Sequence, residues 1–119
     1  MKDHRLKIFR ATLDAFNESL VAVVRVARWK EPEAPPESLR TAADKVSERR
    51  SSADRLVSGP FVGSPADTTK VNAMCATMKQ LDAAYLTYLK QLEVEPNQVA
   101  QAAAALETDI AEATARVGE

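Results

Sequence analysis

The prolines set the strongest limit on what this chain can fold into. They fall in three short stretches: "KEPEAPPE" at 30–37, "SGPFVGSP" at 58–65 and "EVEPN" at 93–97. Proline has no amide hydrogen, and its ring collides with the carbonyl four residues back, so a helix cannot run through these stretches. The segments between them are rich in Ala, Leu, Glu, Lys, Arg and Gln, the good helix formers. The chain is therefore predicted to be all-α and to form one domain over 1–119, with helices over about 3–30, 37–58, 65–93 and 96–117.

Apolar spacing supports each segment. In the first, Leu6, Phe9, Leu13, Phe16, Leu20 and Val24 share a face, with steps alternating between three and four residues. The second carries a thinner stripe of Leu39, Ala43, Val46, Ala53 and Val57. The third has the strongest face, from Val71 through Met74, Cys75, Met78, Leu81 and Tyr85 to Leu89 and Leu92. The fourth carries Val99, Ala103, Leu106, Ile110, Ala113 and Val117. Asp3 is positioned to cap the first helix. Ser64 is a stronger cap, with Pro65 at the first helical position and Asp67 three residues on. Gly118 is expected to end the last helix. Four amphipathic helices with short connections predict an antiparallel up-down-up-down four-helix bundle.

Net charge is −1, but the charge is uneven. Residues 1–30 hold seven Lys/Arg against three acids, and residues 95–119 hold five acids against Arg116. The first and last helices are neighbours in such a bundle, so their charges are expected to complement each other within one molecule. Head-to-tail contact between molecules is the alternative. No nucleic-acid partner is expected: Lys7, Arg10, Arg25 and Arg28 are too sparse for a phosphate track and lack stacking aromatics. No membrane partner is expected either. The apolar run from Leu20 stops at Arg25, far short of the roughly 20 residues a span needs. The charged start of the chain leads into no apolar run of the secretory kind. A single cysteine, Cys75, suits a reducing compartment and predicts a cytoplasmic protein.

The first helix has a second stripe opposite its core face: Ile8, Ala11, Ala15, Ala22, Val26 and Trp29. A purely solvated face would carry Lys, Glu and Gln at those positions. One reading is ordinary: Ala favours helix, isolated apolar residues on a surface are common, and Trp29 folds over the following turn. The functional reading makes these six residues a protein interface with Trp29 as its anchor. That interface would join the chain to a partner protein or to a second copy, a dimer among the options.

Catalysis has little support, and the chain is read as a non-enzyme. Its one histidine, His4, lies in the first helical turn, and no Glu-x-x-His or cysteine pair is present to hold a metal. Cys75 has no obvious base. No cofactor is expected. A small-molecule pocket lined by Met74, Met78, Asp82 and Tyr85 is the alternative to the interaction module. Polar Asn17, Arg50 and Asp82 also fall on or beside core stripes. Counted from the turn at 58–65, Asp82 comes out about 13 Å beyond Arg50 at the helical rise. Arg50 is therefore expected to lay its stem on the core edge and its head in water.

Overall fold

The computed structural model describes residues 2–117, with side chains from His4. It is all-helical, with α1 (Lys2–Ala27), α2 (Glu37–Asp44), α3 (Val46–Ser58), α4 (Pro65–Val94) and α5 (Val99–Ala115), and no strand among the described residues. The proline stretches separate helices as expected. The stretch 37–58 is not one helix, however. Lys45, at φ −82° and ψ 1°, breaks it into α2 and α3. Those angles lie in the bridge region, where a helical turn tightens without continuing.

Several boundaries also shift. α1 is described from Lys2, and the cap expected from Asp3 depends on a side chain outside the described residues. Gly118, the expected stop of the last helix, is also outside them. α1 ends at Ala27, leaving Trp29 in the connection. Ser64 does cap α4: its hydroxyl accepts from the Asp67 amide at 3.1 Å, with Pro65 at the first position.

α1 is the hub of the fold, packing against α2, α3, α4 and α5. Its Leu13, Phe16 and Leu20 are buried with Met78 and Leu81 of α4 and Leu106 of α5. Each such side chain contributes about 1.5–3 kcal/mol when removed from water. The C-terminal end of α5 is tied into the same core. Its last four carbonyls have no partner within the helix. Thr77 of α4, fully buried, donates its hydroxyl to the Ala113 carbonyl at 3.2 Å. Just beyond the helix end, Arg10 of α1 donates to the Val117 carbonyl at 3.3 Å.

The face that α4 buries differs in part from the expected one. Thr77, Ala84 and Tyr88 turn inward, while Leu89 is 40% exposed. Thr77 on this flank bonds to the Ala113 carbonyl of α5, and with Ala84 and Tyr88 also inward Leu89 is left facing outward.

Residues 59–64 form a non-helical connection with extended angles at both ends, φ −83°, ψ 159° at Gly59 and φ −66°, ψ 160° at Ser64. Phe61 meets Phe9 edge to face at 5.8 Å, and Arg5 donates to the Val62 carbonyl at 3.1 Å. This connection therefore travels beside the first turns of α1 instead of reversing tightly.

Candidate interaction surfaces

The second stripe of α1 divides into two parts. Ala22 is only 3% exposed, because α2 packs over this part of α1. Ala22 and Trp29 share the wall of an open groove with Leu39 and Ala42 of α2. Ala15 and Val26 are half-buried, while Ile8 and Ala11 are exposed. The six residues thus do not form one free surface. Ala22 serves the chain's own packing, a correction to its expected place in an interface. Trp29 is corrected too. It is half-buried past the helix end, and its indole N–H donates to the Glu33 carbonyl at 2.7 Å. It pins the proline-rich connection and is no anchor projecting from a helix face.

Arg49 explains why α3 sits where it does. Its guanidinium donates to the Ala15 carbonyl at 3.0 Å, the Ser19 hydroxyl at 3.0 Å and the Glu18 carboxylate at 3.2 Å. Ser19 is fully buried, and Arg49 satisfies its oxygen. Arg49 is a site residue that the apolar spacing of the sequence does not single out. Its target was hidden because a backbone carbonyl leaves no mark in a sequence pattern.

Arg50 departs from expectation as well. Its Nε donates to the Asp82 carboxylate, joining α3 to α4. The expected 13 Å separation fails because the six-residue connection 59–64 is not a tight turn and has the length to take up the offset. Six residues at about 3.3 Å each can cover up to about 20 Å, more than enough to slide α4 along α3. Asn17 bonds to neither residue. The Arg50 guanidinium is held above its ordinary value, mainly by the hydrogen bond to Asp82, against a smaller opposing effect of burial.

The four residues expected to line a ligand pocket do not come together in one. Met78 and Asp82 border a recess of about 210 Å³, beside Phe16, Arg50, Val57 and Lys79. Met74 is core, and Tyr85 stacks on Tyr88 with ring centres 6.3 Å apart. Small-molecule sites enclose roughly 300–1,000 Å³, so this recess is small for a ligand.

The outer face of α4 is a different kind of surface. α3 packs against α4, but α2 makes no contact with it among the described residues. The break at Lys45 carries α2 onto the flank of α1 and leaves the second half of α4 uncovered on that side. Leu86 is 45% exposed there and Leu89 40%. Sequence reasoning missed this face because it assigned Leu89 to the core. The signal was present in Leu86, which lay off the expected stripe.

One ion pair joins the end of α1 to α5: Arg28, just past Ala27, pairs with Glu107 at 2.7 Å. Both side chains are largely in water, so the pair contributes little, about 0–1 kcal/mol. The remaining chemistry is sparse. Burial pushes the Cys75 thiol above its ordinary 9.0, against a weaker pull from Lys79, which keeps the thiolate scarce near neutral pH. His4 is exposed in the first turns of α1. Among the described residues no three His, Cys, Asp or Glu side chains converge to hold a metal. No described helix is long and apolar enough to cross a membrane. Comparison with family models, with curated proteins and with solved structures finds no match.

Proposed function

We propose that this chain is a non-catalytic helical module that works by protein contact, and that its working surface is the outer face of α4. The exposure of Leu86 and Leu89 on a face that α2 leaves uncovered carries this reading. The second stripe of α1 is the weaker candidate, since only Ile8 and Ala11 remain exposed on it. The architecture behind the proposal is an antiparallel up-down-up-down four-helix bundle in which α2 and α3 act as one broken helix. Its support is the run of contacts from Arg10–Val117 to Arg28–Glu107, which opposes the directions of α1 and α5. Catalysis has no part in this reading, which places neither metal nor cofactor.

A photo-activated cross-linking residue at position 86, and separately at position 8, tests the surface. The expected result is a discrete adduct from position 86 and none from position 8, both with purified protein and in cells of the source organism. Absence of any adduct from position 86 in both settings contradicts the reading. The small-molecule alternative keeps one supporting observation, the recess at Met78 and Asp82. Its volume argues against it.

A further inference from the structure

We infer that the outer face of α4 pairs with the same face of a second copy of this chain, antiparallel, about a two-fold axis at Leu86. The inference rests on reading α4 as the contact surface and adds what occupies it. The argument comes from the order of charges along that face. Lys79, Ala83, Leu86, Leu89, Lys90 and Glu93 are exposed, and Asp82 is half-exposed. Their steps of three and four residues put them in one stripe along the helix. Read along the chain, the stripe is positive, negative, apolar in the middle, then positive and negative again.

A helix pairing antiparallel with its copy about Leu86 sets position 79 opposite 93 and position 82 opposite 90. Lys79 then meets the partner subunit's Glu93, and Asp82 meets the partner subunit's Lys90. Leu86 meets its own copy, and Leu89 packs on the partner subunit's Ala83, small enough to admit it. Each contact occurs twice, as a two-fold interface requires. Parallel pairing in register sets like charges against each other at every one of these positions, which disfavours it. The uncovered apolar centre supplies the attraction, and the charges supply direction and register. The carboxylate of Asp82 is already held by Arg50, so it is fixed in place before a second copy arrives. One helix pair is at the small end of protein interfaces, so a reversible dimer with micromolar affinity is expected.

Charge exchange on the full-length chain tests this, read by light scattering across a concentration series at low salt. Wild-type mass should rise reversibly from one chain to two. Lys79→Glu alone sets carboxylate against carboxylate at both symmetry-related positions and should weaken dimerisation about tenfold. Glu93→Lys alone should do the same with two ammonium groups. An equimolar mixture of the two single variants restores every opposite pair, and the mixture should dimerise as well as wild type. The double variant should do so as well. All these positions are exposed, and circular dichroism checks that each variant folds. A wild-type chain that stays monomeric at every concentration overturns the inference while leaving contact with a different protein to the cross-linking result above. A dimer indifferent to both single charge changes, or single variants whose mixture fails to recover, also overturns it.

Discussion

Arg50 of α3 and Asp82 of α4 are joined by a charged hydrogen bond across 32 residues of chain. The bond fixes the register of two helices linked by a non-helical connection that does not itself fix it. Both side chains are about one third exposed, at 35% and 38%. Water therefore screens the pair, and its coupling should be about 1 kcal/mol. A double-mutant cycle of Arg50→Ala and Asp82→Ala by urea unfolding measures it. A coupling near zero would mean that α4 is not held in this register.

Ala22→Glu should destabilise the fold instead of altering assembly. Position 22 is 3% exposed beneath α2, so a glutamate there must push α2 aside or bury its carboxylate. The expected cost is about 3 kcal/mol or more. Ala11→Glu, at an exposed position of the same stripe, should cost less than about 0.5 kcal/mol. Thermal unfolding of the two variants side by side gives the comparison, and equal midpoints would contradict the placement of α2 over Ala22.

Thr77→Val keeps the shape of a fully buried side chain and removes its hydroxyl from the Ala113 carbonyl. The carbonyl lies at the end of α5, where the helix offers no replacement donor. A loss of about 1–2 kcal/mol is expected, with faster amide exchange in the last turn of α5. Unchanged exchange there would show that α5 is not capped from α4.

Stability should fall in alkali. Burial raises the phenols of Tyr85 and Tyr88 above their ordinary 10.0, with Arg50 partly opposing the shift at Tyr85. Burial likewise raises the thiol of Cys75 above 9.0. The folded chain holds these protons to higher pH than the unfolded chain does. The contribution is therefore complete below the ordinary values and is lost as pH rises through the folded ones. The melting temperature should be level near neutrality with respect to these groups and decline from about pH 9 upward. Tyrosinate absorbance should titrate above 10.0 in the folded protein. Titration at or below that value would contradict the burial of the two rings.

The parts of this fold legible in the sequence were those set by local chemistry. Proline placed the breaks, Ser64 and Pro65 placed the start of α4, and three-and-four spacing found Phe16, Leu20, Met78 and Leu81. The remainder depended on how helices slide and turn against one another. Nothing in "ADKVS" marks Lys45 as a break, since no proline or glycine stands there. The length of "GPFVGS" was visible, but not that it would run beside Phe9 and carry Asp82 to Arg50. Tyr88 and Leu89 are neighbours on the helix, so periodicity alone left the inward one open, and the packing of α4 in the bundle turned Tyr88 inward. The second stripe of α1 was a real feature, and α2 accounts for its Ala22 end.

Sedimentation velocity of wild type beside Leu86→Lys and Ile8→Lys tests the central claim most directly. Both positions are exposed, at 45% and 42%, so neither change should disturb the core. The account predicts that wild type and Ile8→Lys show the same concentration-dependent shift to a dimer, while Leu86→Lys sediments as a monomer throughout. A monomeric wild type, or a dimer that survives Leu86→Lys, would contradict it, and a dimer abolished by Ile8→Lys alone would return the interface to α1.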